Sequence, residues 1–213
     1  MQKNSPDKGI DKRCCLFVLI AVALCSALTL AGHAGGAAQE AHQASCALPP
    51  LPMPPTPAKL PGDAELDPTT GLHVTGRLQQ IKIADYRLHV TGKVDNPLSL
   101  TYDELRCMPR TEARLKLVCP GFFEDTATFA GTPLVALLQL AKVRAGATDV
   151  RLTGADGYFV DVPLKEALSG KNFLAYEWDG MALPVLHGFP LRAVFPDGLG
   201  HRWVKWLVKI EVL

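Results

Sequence analysis

The chain has 213 residues, a formal net charge of +1, 48% hydrophobic and 20% charged residues; that is one globular domain with appendages, and it excludes wholesale disorder and a multi-span membrane protein. Lys3, Lys8, Lys12, Arg13, Asp7 and Asp11 all precede an apolar run, and the remainder is close to neutral, so nothing here forms an electrostatic footprint for nucleic acid. The six cysteines contain no CxxC pair, which removes metal fingers and covalent haem attachment.

Residues 1–38 read as a signal peptide or N-terminal anchor: a basic start, the apolar stretch Cys14 to Leu30, then the small residues Gly32-His33-Ala34 and Gly36-Ala37-Ala38. An apolar stretch of 17 residues is at the lower limit for spanning a bilayer, so both a cleaved signal and a retained membrane tether stay open. Either way the expected location is periplasmic or otherwise extracytoplasmic. Residues 39–71 read as a proline-rich linker, because Leu48 to Pro61 holds seven prolines and favours an extended spacer without a packed core.

Residues 72–213 form the expected domain, of mixed α+β class, with short elements between turn signals. Tyr86 to Val94 reads as a strand, and Thr101-x-x-Glu104 is a capping box for a short helix that ends by Pro109. Thr111 to Cys119 is a strand with Leu115, Leu117 and Cys119 on one face and Arg114 and Lys116 on the other; Pro120-Gly121 breaks it. Thr132-Pro133 starts a helix through Ala141, with the threonine expected as its cap. Val150 to Thr153 and Tyr158 to Val162 flank the turn 154–157, Pro163 to Leu168 is a short helix, and Phe173 to Trp178 is a strand before the tight turn Asp179-Gly180. The last segment, Val204 to Val212, alternates with Val204, Trp206, Val208, Ile210 and Val212 predicted on the core face.

Cys119 is the first chemical candidate, an inward thiol at a strand end followed by a chain reversal; an isolated cysteine there is also an ordinary small hydrophobe. His187 to Arg192 and Gly198 to Lys205 are the others, since both set cationic or hydrogen-bonding side chains beside glycines, where backbone can approach an anion closely. A solvated basic edge is the bland alternative.

In order and spacing, Leu174-Ala175-Tyr176-Glu177, Leu183-Pro184, His187 to Arg192 and Val204-Lys205-Trp206-Leu207 resemble the molybdopterin-binding catalytic domain of the sulfite oxidase family, and the resemblance runs from about Tyr86 to Val212. It implies that fold, an α+β arrangement of mixed β-sheets with short helices, and a molybdenum-molybdopterin cofactor. It also implies that Cys119 ligates the metal through its thiolate and that His187, Arg192, Gly200, His201, Arg202 and Lys205 hold the pterin and its phosphate. Tyr158, five residues before Pro163, matches the family's active-site tyrosine. The activity so implied is two-electron oxygen-atom transfer on a small molecule, with a separate electron carrier such as a cytochrome.

Three departures qualify that picture. Where sulfite oxidases follow the metal cysteine with Ala-Gly-Asn-Arg-Arg, this chain has Pro120-Gly121-Phe122-Phe123-Glu124, an apolar and acidic rim expected to disfavour sulfite. The family's upstream Asn-His pair and substrate arginine have no evident match before Tyr86, which points to an open cavity or one completed by another chain. Lys12-Arg13 stands where exported members carry Arg-Arg. The alternative function is accordingly an exported binding module that keeps the fold without cofactor or turnover.

Overall fold

A computed structural model describes residue 46 and residues 48–213; the segment 1–38, with Cys14, Cys15 and Cys25, lies outside the described residues. Strands dominate: β1 (Leu88–Gly92), β2 (Leu98–Leu100), β3 (Thr111–Cys119), β4 (Phe123–Pro133), β5 (Asp149–Gly154), β6 (Phe159–Pro163), β7 (Phe173–Trp178), β8 (Met181–Ala182), β9 (Arg192–Val194) and β10 (Leu207–Val212). The helices are short: α1 (Tyr102–Arg106), α2 (Leu134–Ala141) and α3 (Leu164–Ala167).

One sheet runs β2-β1-β10-β5-β6, with β1 and β10 parallel and the other pairs antiparallel. The second runs β3-β4-β7-β8, with β9 on the same edge of β7 as β8, and all its pairs are antiparallel. Both sheets contribute to one apolar cluster with the inner faces of the helices, including Val90, Leu105, Leu137, Leu152, Leu174 and Ile210.

Several elements form for the reasons their residues state. Thr101 caps α1 in a full capping box, its hydroxyl accepting from the Glu104 N–H while the Glu104 carboxylate accepts from the Thr101 N–H. β3 alternates as expected, so Leu117 is buried while Arg114 and Lys116 are exposed. The turn after β7 takes Asp179 and Gly180 both into positive φ.

Two local expectations are corrected. Thr132 does not cap α2: it is fully buried at the end of β4, its hydroxyl donates to the Leu105 carbonyl at 2.7 Å, and the strand passes into the helix at Pro133. The last segment does not alternate cleanly. Trp206 adopts φ 51° and the pairing with β5 slips between Leu207 and Lys209, which turns Leu207 into the core and leaves Val208 half-buried.

The proline-rich stretch is extended as expected, but it is not a free spacer. Pro54 is buried, the Pro49 carbonyl accepts from Arg106 at 2.6 Å, and the Ala182 N–H donates to the Pro52 carbonyl. Cys46, which the sequence leaves isolated, is bonded to Cys107 just after α1, across 61 residues. Further on, residues 64–74 fold back through a turn at Asp67–Gly71, with Ala64 and Val74 paired at its base. The boundary expected at residue 72 therefore falls inside a strap attached to the domain. Closing so long a loop removes roughly 4 kcal/mol of unfolded-chain entropy. We expect the Cys46→Ser/Cys107→Ser variant to lose stability of about that size in denaturant unfolding, and a loss under about 1 kcal/mol would show that the strap holds without its latch.

Candidate active site

The site is a cavity of about 300 Å³ walled by four parts of the chain. β3 and β4 bring Leu117, Cys119, Phe123, Asp125 and Phe129; the β5–β6 turn brings Asp156 and Tyr158; the strap brings Leu72, His73 and Thr75; and the passage from β8 to β10 brings His187, Arg192, His201, Trp203 and Lys205. That last passage is folded on itself: the Ala193 N–H donates to the Val204 carbonyl, that of Leu207 to Leu191 and that of Trp206 to Gly188. Gly188, at φ 111°, lets the two limbs touch, since a Cβ there would sit 3.1 Å from that of Lys205.

Cys119 ends β3 half-buried with a free thiol, and Gly200 packs on it so closely that a Cβ at 200 would lie 2.6 Å from Sγ. Burial pushes the thiol pKa up, Arg192 and Lys205 pull it down, and Asp125 adds to the rise. Arg192 is 6% exposed, lies over the rings of Trp203 and Phe129 at 5.4 and 5.9 Å, and donates through Nη1 to the His187 carbonyl at 3.4 Å. Its Nε is buried with no hydrogen-bond partner among the described residues. Burial lowers its pKa to about 10. Lys205 donates to the carbonyls of Thr75 and Leu186; burial first, then Arg192, lowers it to about 7. Two cations held in low dielectric, one with an unpaired N–H, make a site that gains from an anionic ligand.

His187 is 1% exposed; its Nε2 lies 3.1 Å from Asp67 Oδ2 and 3.0 Å from Thr70 Oγ1, both on the strap. Burial, then Arg192 and Lys205, push its pKa down to about 4, against the weaker pull of Asp67. It is therefore neutral in the folded protein and protonated more readily when unfolded, so its contribution is intact above about pH 6.5 and is lost as pH falls towards 4. We expect the cofactor-free protein to lose on the order of 3 kcal/mol over that interval. Denaturant unfolding on either side of it, near neutrality and near its acid end, measures the loss, and His187→Gln should flatten it; an equal fall in the variant would assign the pH dependence elsewhere.

Among the residues expected to form the site, Cys119, Tyr158, His187, Arg192, Gly200, His201 and Lys205 all line this cavity, and Arg202 does not. Arg202 is paired with Glu166 on α3, at 2.6 and 3.1 Å, and rests over Phe195, so its charge is spent outside the cavity. Tyr158 donates its hydroxyl proton to the His201 carbonyl at 2.7 Å, which leaves only its oxygen lone pairs to act as an acceptor. In the rim after Cys119, Phe122 is 81% exposed, and Glu124 pairs with Lys116 on the surface. The acidic groups of the cavity are Asp125 and Asp156, not Glu124, and neither Asp125 nor the strap residues Asp67 and His73 stand out in the sequence. The one available signal is Asp67-Pro68-Thr69-Thr70-Gly71, a turn sequence inside the expected linker whose carboxylate accepts from the Thr69 N–H and both threonine hydroxyls. The strap lines the cavity with Leu72, His73 and Thr75, upstream of Tyr86 where the sequence offers no evident match to the family's Asn-His pair.

Two five-stranded sheets, a strand-end thiol and a buried cationic wall make a domain whose cavity suits an anionic ligand with a thiol beside it. The family described as the oxidoreductase molybdopterin binding domain matches residues 75–213, and the chain belongs to that family. It is 27% identical over 135 residues to a putative protein-methionine-sulfoxide reductase subunit of Azospira oryzae, a match covering 63% of this chain and 52% of the relative. It is 32% identical to an uncharacterized oxidoreductase of Bacillus subtilis (59% of this chain, 64% of the relative), and 33% identical to the mitochondrial sulfite oxidase of Rattus norvegicus (60% and 29%). Among solved structures, the sulfane dehydrogenase SoxCD from Paracoccus pantotrophus matches with a TM-score of 0.64 at 25% identity, over 72% of this chain and 44% of that one. The matches thus span from under a third to under two thirds of the curated relatives' length. The fold is that of the sulfite oxidase molybdopterin-binding domain, as its residues led us to expect.

Proposed function

We propose that the protein is an exported molybdopterin-dependent oxidoreductase that transfers an oxygen atom to or from a small substrate other than sulfite, with Cys119 as the protein's ligand to molybdenum. The observation that carries this reading is the Cys119 thiol sharing one cavity with the buried cations Arg192 and Lys205. The donor set fits the group: a soft thiolate suits the metal, and the unpaired Arg192 Nε suits an anionic pterin phosphate. When bound, the cofactor supplies a metal that changes oxidation state by two electrons per oxygen atom exchanged. Arg192, Lys205 and neutral His187 would hold it, Gly200 keeps backbone close against the thiol, and the strap excludes water on the side facing His187.

Asp125 in the wall and Phe123 beside it oppose a dianion, which supports a substrate less charged than sulfite. The Azospira relative, described as a subunit of a methionine-sulfoxide reductase, fits a neutral sulfoxide as the substrate class and a separate electron-carrying partner. The Cys46–Cys107 disulfide fits an oxidising compartment and hence export. The test is molybdenum and pterin content of the protein from a host that makes the cofactor, with about one of each per chain expected. Folded protein that contains neither and cannot be loaded would replace this reading with the non-catalytic binding module.

A further inference from the structure

We propose that His73, held by Asp125, is a proton-transfer residue of the cavity; this deepens the oxidoreductase reading above and rests on it. The strap brings His73 over β4, where its ring stacks on Phe123 with centroids 4.4 Å apart and planes 10° from parallel. Asp125 then holds it twice, accepting from the His73 backbone N–H at 2.8 Å and facing Nδ1 at 2.7 Å. The Asp125 side chain is 8% exposed and that of His73 27%, so the carboxylate is enclosed while the ring keeps a route to solvent.

That geometry sets the tautomer. A carboxylate facing Nδ1 keeps a proton on that nitrogen, and the other nitrogen, Nε2, has no hydrogen-bond partner among the described residues. A ring in this state takes a proton at Nε2 and gives it up again while Asp125 fixes its position.

The other ionisable groups of the cavity are less suited. Tyr158 has committed its proton to a carbonyl, and His187 is fully buried between Asp67 and Thr70. Lys205 donates to two carbonyls and is assigned with Arg192 to the cofactor, Asp156 accepts from the Tyr158 N–H at 3.1 Å, and Arg192 holds its proton too strongly to cycle it. Cys119 is assigned to the metal. His201 is exposed, and no side-chain partner fixes its ring among the described residues.

In the reducing direction the balance is XO + 2e⁻ + 2H⁺ → X + H₂O. The X–O bond breaks, X is reduced, and the oxygen leaves as water; a one-electron carrier of the cytochrome class is oxidised twice. His73 donates one of the two protons from Nε2 and is recharged from solvent, which also supplies the second. The oxidising direction runs the same transfers backwards.

The experiment compares wild type, His73→Gln and Asp125→Asn, with dimethyl sulfoxide as substrate, a reduced viologen as electron donor, and metal content and optical spectrum measured alongside. We expect His73→Gln to keep its molybdenum and spectrum, to lose roughly 100-fold or more in kcat with KM little changed, and to lose one limb of the pH profile. Unchanged kcat in loaded His73→Gln overturns the proposal, and loss of the cofactor makes His73 an anchor instead. Nitrogen-15 NMR of the imidazoles reads the tautomer without cofactor: a wild-type His73 protonated at Nδ1, with that preference lost in Asp125→Asn, supports the pair, and protonation at Nε2 alone overturns it. Wild type with no metal defeats the oxidoreductase reading by itself, and the NMR measurement then decides whether Asp125 sets the His73 tautomer.

Discussion

On the proposed ligation, Cys119→Ala is expected to yield a folded protein whose molybdenum centre lacks its protein ligand. The side chain ends β3 half-buried and makes no hydrogen bond that holds the strand, so replacing the thiol with a methyl costs about 1 kcal/mol in unfolding. The proposed metal site, in contrast, would lose a charged donor that alanine cannot replace. Removing groups that merely orient a metal ligand already costs about 10- to 100-fold, and removing the ligand costs more. Turnover should therefore fall to background while pterin is retained through Arg192 and Lys205. The optical and paramagnetic signatures of the metal, set against pterin content per chain, measure the two effects separately. A variant with an unaltered metal spectrum would exclude Cys119 as the ligand, and one that unfolds would make the residue structural.

What the sequence makes legible here follows from how local each cause is. β3 and β7 fall on Thr111–Cys119 and Phe173–Trp178, the bounds their residues predict, because alternation and flanking turns act within the strand. The capping box at Thr101 is equally local. Thr132 departs from expectation because its hydroxyl has two possible partners, and the one it takes, the Leu105 carbonyl, is set by packing against α1. The parity of the last strand fails at Trp206, where one positive φ and a slip against β5 undo an assignment made by alternation alone.

The site divides along the same line. Of the residues that the family resemblance assigns to the site, all line the cavity except Arg202, whose pairing with Glu166 depends on where α3 packs. The His73–Asp125 and Asp67–His187 pairs are invisible in the sequence because their members lie 52 and 120 residues apart and meet only when the strap folds onto the domain. A proline-rich segment reads as spacer from composition; that it is held by a disulfide and by the Pro49 and Pro52 carbonyls is a tertiary fact.

Gly131→Ala is expected to be among the most damaging single methyl additions in the domain. Gly131 lies where β4 meets β7 and the pairing slips by one residue, Ala130 standing opposite Glu177 and Gly131 opposite Ala175. That slip brings β7 against the glycine, so a Cβ would sit 1.9 Å from the Leu174 carbonyl oxygen and 2.6 Å from the Cα of Ala175. Both contacts are backbone, which cannot rotate away as a side chain can. Relief requires moving β4 from β7, whose Leu174 and Ala175 are fully buried and whose other edge pairs Ala175 with Arg192 of the cavity. A clash of this kind belongs with the exceptional core changes, at about 4 kcal/mol or more, and for a domain of this size lowers Tm by roughly 10 °C. Gly121→Ala is the control: beyond its chain neighbours no heavy atom of the described residues lies within 4 Å of its Cβ position, and its cost, about 1 to 2 kcal/mol, comes from a φ of 80° alone. Thermal and denaturant unfolding of the two variants compare backbone clash with backbone strain. Equal losses would show that β7 yields, and Arg192 should then shift with it, measurable as weakened cofactor retention in Gly131→Ala but not in Gly121→Ala.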